Sequence, residues 1–153
     1  MPANIDPIFT RTPDVSNNAG TDMNALVTAA ANDYTGANAN NSLIFTADAT
    51  NGSFIRQVRF IVTATTANTA STATVGRVFI SSVTSGATTN ANTFMIAEIT
   101  LPSLTADSST AGASYIDIPL GFPIPASYTI LVTTHAAPAA NSAWRAVVIA
   151  GDY

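Results

Sequence analysis

The sequence predicts an all-β domain of about eight strands, preceded by an extended N-terminal arm. Helix formers are scarce, since the chain has six Leu, one Glu, one Gln and no Lys. β-Branched residues dominate the apolar set, and these pack well on pleated sheets but lose rotamer freedom in helices. Short apolar runs also alternate with turn-forming residues, which is typical of proteins with many short strands.

The arm is predicted over residues 1–15 and the β domain over residues 16–153. The arm is rich in Pro, and its apolar Ile5, Ile8 and Phe9 have no evident partner in the rest of the chain. Terminal segments of this kind bind a partner or fray.

Strands are expected wherever a β-rich run is bounded by turn-forming residues. In chain order, the predicted strands are residues 25–30, 43–47, 54–64, 74–83, 93–101, 115–118, 128–134 and 144–150. Alternation gives the third strand a core face, which comprises Phe54, Arg56, Val58, Phe60 and Val62. The last strand is apolar on both faces, so we expect a second sheet or another subunit to cover it as well.

Three connections have turn or corner signals. Asn51-Gly52 lies between two β-rich runs and predicts a tight hairpin, because primed turns require positive φ angles. Residues 85–90 and 106–112 are predicted to be surface loops. The segment 119–125 contains three prolines, which cannot donate hydrogen bonds to a ladder. We therefore predict that it runs at a sheet edge or crosses between sheets as a corner.

Small residues and short polar residues make up half of the chain, with Ala, Thr, Ser and Asn accounting for 77 of its 153 positions. Only 9% of the residues are charged, and the formal net charge is −4. With five Arg and no Lys, the chain attracts phosphate weakly, so we expect no nucleic-acid partner. Short uncharged side chains lose little entropy on association, so this composition favours assembly with other protein.

The sequence has no export or membrane signal. Its first residues lack the basic start and apolar run of a signal peptide. The longest uncharged stretch, 118–144, is broken by four prolines, which excludes a spanning helix. There is no Cys, so the redox compartment cannot be inferred. We expect a soluble protein made in the cytoplasm, with no membrane partner.

Catalytic and metal-binding patterns are missing from the sequence. His135 is the single imidazole and no G-x-S-x-G motif accompanies it, so an exposed or capping role is expected. Asp48 and the residues after it lack the alternating acids and distal Glu of a calcium loop, and predict a turn instead. We expect no enzymatic activity, no cofactor and no metal ion.

Two further residues have both a structural and a functional interpretation. By alternation, Glu98 shares a face with Phe94 and Ile96, and it needs a cationic partner if it is buried. The candidate partners are Arg56, Arg59 and Arg77. A structural or intersubunit ion pair is favoured over a site carboxylate. Trp144 is expected in the core, with stacking on a sugar as its alternative role.

Three stretches of the chain, AANDYTG at 30–36, SLIFTADATNGSF at 42–54 and the closing 144–153, resemble small structural proteins of tailed bacteriophages in the head decoration (cement) class. The likeness extends over most of the chain from about residue 30. It implies an antiparallel, jelly-roll-like β-sandwich that forms a homotrimer on the capsid exterior. The partners would be the major capsid protein and copies of the chain itself.

The resemblance also implies that the N-terminal arm reaches a neighbouring copy or the shell. Ile5, Pro7, Ile8 and Phe9 would then be the partner-binding residues.

Two other functional classes stay open. The first is a component of the phage tail or fibre, which would attach to the tail and not to the shell. The second is a carbohydrate-binding or adhesin module, in which Trp144, Tyr115 or Tyr128 would stack on sugar.

Overall fold

The structure is a computed structural model that describes residues 10, 12–14, 41–64, 69–83, 88–106, 115–136, 140 and 142–153. The strands are β1 (Thr12–Asp14), β2 (Ser42–Thr46), β3 (Ser53–Ala64), β4 (Thr69–Ala70), β5 (Thr74–Ser81), β6 (Thr93–Leu101), β7 (Thr105–Ala106), β8 (Tyr115–Ile124), β9 (Thr129–Thr134) and β10 (Ser142–Asp152). The described residues form no helix, and hence none that could cross a membrane. The predicted all-β class is confirmed.

The strands form two four-stranded antiparallel sheets that face each other as a β-sandwich. Sheet A has the order β1-β10-β3-β8, sheet B has the order β2-β9-β5-β6, and β4 and β7 make a separate two-stranded ribbon. The pairing is nested along the chain: β5 pairs with β6, β3 with β8, β2 with β9 and β1 with β10. The chain therefore runs like a long antiparallel ribbon folded over itself, with successive pairs assigned to alternate sheets.

The core lies between the two sheets and is filled by aliphatic and aromatic side chains. Its buried members are Ile44, Phe45, Ala47, Ile55, Val58, Phe60, Val62, Val78, Leu101, Ile118, Ile124, Ile130, Val132, Trp144, Ala146 and Val148. Burial of such side chains is the main source of stability for a domain that is so poor in charge. Trp144 is 2% exposed, so its expected place in the core is confirmed.

A β-bulge at Arg56 interrupts the alternation of β3. Ile55 is paired with Ala150 and Phe122, and Gln57 is paired with Ile149 and Pro119, which leaves Arg56 without a register partner on either side. The extra residue reverses the faces of the strand. Ile55 is therefore fully buried while Arg56 is exposed.

The predicted core face of this strand is consequently correct at Val58, Phe60 and Val62 but wrong at its beginning. Arg56 lies in solvent, and Phe54 is only half-buried. Alternation fails here because Arg56 is the extra residue of the bulge, so the residues before it face the opposite side from the one that strict alternation predicts.

β6 contains a second bulge, between the partners of Val78 and Phe79. Phe94 lies opposite Ile80 and Glu98 lies opposite Arg77, so Phe94 and Glu98 occupy opposite faces of the sheet. The prediction that these two residues share a face is therefore wrong, for the same reason as in β3.

The Asn51-Gly52 turn is present, but it does not close a hairpin. The strands that it joins belong to different sheets, because β2 pairs with β9 and β3 pairs with β10 and β8. The Asp48 carboxylate accepts hydrogen bonds from the backbone N–H groups of Thr50 at 2.9 Å and Asn51 at 2.7 Å. Gly52 has a φ angle of 78°. The expected Asp48 turn is confirmed, whereas the hairpin prediction is wrong because the turn crosses the sandwich.

The proline-rich segment after Ile118 continues β8 and ends at Ile124. Pro119 lies opposite Gln57 and Pro123 lies opposite Phe54. β8 is an edge strand, where a missing N–H can face away from the ladder. The edge position is confirmed, and the predicted corner is wrong because the strand runs through the prolines.

The end of the predicted arm contributes to sheet A. Residues Thr12–Asp14 form β1 and pair with residues 150–152 of β10. The predicted arm residues Ile5, Pro7, Ile8 and Phe9, and the predicted strand 25–30, lie outside the described residues.

Candidate interaction surface

The outer face of sheet A, which points away from the core, brings together side chains from three strands. Tyr115 and Asp117 of β8 lie opposite Ile61 and Arg59 of β3, and Arg59 lies opposite Val147 of β10. We call these five residues the Tyr115 patch. They form a continuous area because cross-strand partners on one face are neighbours.

A bidentate ion pair lies at the centre of the Tyr115 patch. Arg59 Nε donates to Asp117 Oδ1 at 2.7 Å, and Arg59 Nη2 donates to Asp117 Oδ2 at 2.9 Å. These hydrogen bonds from Arg59 hold the pKa of the Asp117 carboxyl below its usual range, against the opposing effect of desolvation. The same bonds raise the pKa of Arg59. Both groups therefore stay ionised and paired at neutral pH.

Arg59 also contacts the aromatic ring beside it. Its guanidinium carbon lies 4.2 Å from the centroid of the Tyr115 ring, which is cation–π geometry. Asp117 orients the guanidinium, and the guanidinium covers one face of the Tyr115 ring, so this contact favours the observed Tyr115 conformation before binding.

The apolar part of the Tyr115 patch is unusually accessible. Ile61 is 40% exposed and Tyr115 is 48% exposed. Within the described residues, only Phe94 joins them as an exposed large hydrophobic side chain. Ile61 and Tyr115 are direct cross-strand neighbours. Val147 next to them is half-buried. The sequence predicts that both faces of β10 are covered, and at this position the outer face is covered only in part.

The electrostatics of the Tyr115 patch suit contact with protein. Arg59 and Asp117 neutralise each other, so covering this pair costs less than covering two separate charges. Arg145 of β10 borders the patch opposite Ile61, and its Nε donates to Thr63 Oγ1 at 3.2 Å. Tyr and Arg are also the residue types that most often anchor protein interfaces. The Tyr115 patch can thus act as a docking surface for protein.

A shallow pocket of about 230 Å³ lies elsewhere, where β5 ends and β6 begins. Its lining residues are Ile80, Ser81, Ser82, Asn90, Ala91, Asn92, Thr93, Phe94 and Tyr128. None of them has a charged side chain at neutral pH. Phe94 is 70% exposed and supplies an open aromatic face at the pocket.

Glu98 does pair with one of its predicted partners, Arg77, at 3.4 Å. Arg77 is the buried member of the pair at 2% exposed, while the Glu98 side chain is 47% exposed. A structural ion pair is the role that this geometry fits, because the carboxylate meets a buried guanidinium of the neighbouring strand.

The three aromatic residues named for sugar stacking lie in different environments. Trp144 is buried, so it offers no platform. Tyr115 is exposed, but Arg59 covers one face of its ring. Tyr128 is half-buried and lines the shallow pocket.

His135 follows β9, where its backbone N–H donates to the Val75 carbonyl at 2.9 Å. The described part of the chain contains no group of three or more His, Asp or Glu residues that could hold a metal ion.

Sequence reasoning missed the Tyr115 patch. Alternation did place Arg59 on the outer face of its strand, and Tyr115 and Asp117 are two positions apart in theirs, so each half was visible. The pairing that brings Arg59 to Asp117, 58 residues away, could not be predicted, because a single sequence does not show the register between distant strands. Alternation predicted only that Phe94 lies on the same face as Glu98, and nothing in the sequence indicated that its ring is exposed.

Comparison with models of protein families, with curated proteins and with solved structures finds no match to this chain.

Proposed function

We propose that the protein is a virion structural protein, namely a decoration (cement) protein of a tailed bacteriophage. In this role it binds the outer surface of the head as a homotrimer and stabilises the shell by bridging capsomers. Its partners are then the major capsid protein and other copies of itself. The Tyr115 patch is the observation that carries the proposal, and the sequence resemblance supplies the class of partner.

The Tyr115 patch supports a docking role in three ways. It presents two exposed apolar side chains, Ile61 and Tyr115, side by side. Its Arg59 and Asp117 are paired with each other, so a protein partner needs no matching ion for either of them. Its central side chains, Arg59 and Tyr115, are held in place before any partner arrives.

The strand connectivity supports the jelly-roll description. A jelly roll has eight strands in two sheets, and the eight strands of sheets A and B, leaving aside the small β4–β7 ribbon, pair in a nested order. Architecture alone does not define function, so this agreement adds to the argument without carrying it.

The N-terminal arm has its own place in the proposal. β1 leads directly out of sheet A, and residues 1–9 precede it. We assign Ile5, Pro7, Ile8 and Phe9 to anchoring on the shell or on a neighbouring copy, because the resemblance implies an arm of this role and no partner in the domain is expected for Ile5, Ile8 and Phe9.

The proposal is tested with virions that carry the protein and otherwise identical virions that lack it. It predicts copies bound to the head and a higher temperature of DNA release when they are present. Equal heat stability together with heads free of the protein contradicts the proposal. Copies bound to the tail alone contradict it too, and favour the tail component.

A pair of variants tests the docking surface itself. Ile61→Asp places a charge in the Tyr115 patch, whereas Thr100→Asp places the same charge on an exposed position of β6 in the other sheet. We expect Ile61→Asp to weaken binding to heads by about tenfold or more, and Thr100→Asp to bind like the wild type. Circular dichroism and Tm show whether both variants are folded.

A further inference from the structure

The shallow pocket beside β6 has the chemistry of a binding site that is separate from the Tyr115 patch. It lies at the end of sheet B, between the end of β5, the turn over residues 88–92 and Tyr128 before β9. The Tyr115 patch lies on the outer face of sheet A. A ligand in the pocket therefore need not compete with a partner on the patch.

The turn that forms one wall is preorganised by its own hydrogen bonds. Asn92 Oδ1 accepts from the backbone N–H of Thr89 and from Thr93 Oγ1, each at 2.7 Å. The Asn92 carbonyl accepts from the backbone N–H of Ser82 at 2.9 Å and from Ser81 Oγ at 3.1 Å. These hydrogen bonds hold the turn over residues 88–92 against the end of β5, so ordering of this turn adds little to the entropy cost of binding.

The polar groups around the pocket are available to a ligand. Ser82 and Asn90 are exposed and Tyr128 is half-buried, and all three line the pocket. An amide and two hydroxyls both donate and accept hydrogen bonds. Phe94 adds an exposed ring at the same place. The site therefore combines an aromatic plane with neutral donors and acceptors.

These features select one class of ligand. Among the described residues that line the pocket no side chain is charged, so this lining has no charge with which to attract a phosphate, a carboxylate or an amine. A sugar ring matches the lining, since its C–H face packs on an aromatic plane while its hydroxyls donate and accept hydrogen bonds. The volume of about 230 Å³ is below that of drug-sized sites, which fits a single ring of a longer chain.

We propose that this pocket binds one neutral sugar ring of a glycan, stacked on Phe94 and hydrogen-bonded by Asn90, Ser82 and Tyr128. The assignment is independent of head decoration. A protein that binds both a shell and a glycan would attach the particle to a polysaccharide surface.

The experiment measures binding of maltohexaose, cellohexaose and chitohexaose to the purified full chain by saturation-transfer NMR and calorimetry. Polygalacturonate of similar length is the charged comparison. Phe94→Ala removes the stacking plane, and Thr100→Ala is the control because Thr100 is an exposed residue of the same strand that does not line the pocket. Both positions are exposed, so both variants are expected to keep the fold.

The proposal predicts that at least one neutral oligosaccharide binds and that polygalacturonate binds more weakly. Phe94→Ala should weaken the affinity by about tenfold, Asn90→Ala should weaken it as well, and Thr100→Ala should leave it unchanged.

Three results overturn the proposal. The first is that none of the neutral probes binds at about 10 mM, a concentration that detects even millimolar affinity. The second is that Phe94→Ala binds as well as the wild type. The third is that Phe94→Ala loses binding to heads while the wild type binds no sugar, which makes Phe94 a protein contact.

Discussion

Gly76 of β5 lies directly against the ring of Phe60 in β3, on the opposite sheet. A Cβ at Gly76 would meet Phe60 Cζ at 3.1 Å and Leu101 Cδ1 at 2.9 Å. The missing side chain thus lets a fully buried aromatic ring reach the backbone of sheet B. This close approach allows the two sheets to pack without a gap at this point.

We predict that Gly76→Ala destabilises the protein by about 1–3 kcal/mol, because the added methyl group overpacks a filled core. Urea denaturation gives the free energy of unfolding. Phe60→Leu, which trims the ring that the methyl group meets, should cost less in the Gly76→Ala background than in the wild type. Additive effects in this double-mutant cycle would show that Gly76 and Phe60 are not coupled.

Two glycines with positive φ provide a matched comparison. Gly52 has φ 78° and a Cβ there would collide with the carbonyl oxygen of Ile124, while Gly121 has φ 68° and open space around it. Gly121→Ala should therefore cost only backbone strain, on the order of 1–2 kcal/mol, and Gly52→Ala should cost distinctly more. Chemical denaturation of both variants checks the order, and equal losses would mean that the collision at Gly52 is relieved without cost.

The pH dependence of stability should report the Arg59–Asp117 pair. Its hydrogen bonds lower the pKa of Asp117 in the folded state. A lowered folded pKa gives a stabilisation that is present above the unfolded pKa of about 3.9. That stabilisation is lost as the pH falls through the folded value. We therefore expect Asp117→Asn to lower the Tm at pH 7 and to converge with the wild type in strong acid.

Asp14 is predicted to behave in the opposite way. Desolvation raises its pKa, and repulsion from Asp152 adds to the effect. A raised carboxyl pKa destabilises the folded state at neutral pH, so Asp14→Asn should raise the Tm at pH 7. Thermal unfolding from pH 2 to pH 7 measures both variants. Tm shifts of the same sign at pH 7 would contradict this assignment.

Much of the fold could be predicted from local pattern. The run 93–101 matches β6 in full, and the runs at 43–47, 54–64, 74–83, 128–134 and 144–150 match β2, β3, β5, β9 and β10 to within a few residues. These strands are β-branched or aromatic and bounded by turn residues, and such signals are contained in the sequence itself.

The errors arose where the backbone departs from regular pairing. The bulge at Arg56 moved Phe54 and Arg56 off the core face, and the bulge in β6 separated Glu98 from Phe94. A bulge changes the face of a side chain without changing its residue type, so alternation gives no warning of it. Asn51-Gly52 does not form a hairpin, because the strands that flank it pair with strands distant in the chain and not with each other.

Truncation of the arm separates folding from attachment. β1 begins at Thr12, and Thr10 packs against Gly151, so deletion of residues 1–9 leaves these contacts in place. We expect this shortened chain to keep the circular dichroism spectrum of the wild type and to lose binding to heads. Head binding at wild-type affinity would remove Ile5, Pro7, Ile8 and Phe9 from the proposed attachment.

Imaging of the native virus particle by electron cryo-microscopy tests the proposed function most directly. We predict density for this β-sandwich on the outer surface of the head, in groups of three copies that bridge neighbouring capsomers, with the Tyr115 patch against protein. Particles whose heads carry none of this density, or whose copies are confined to the tail, would contradict the assignment.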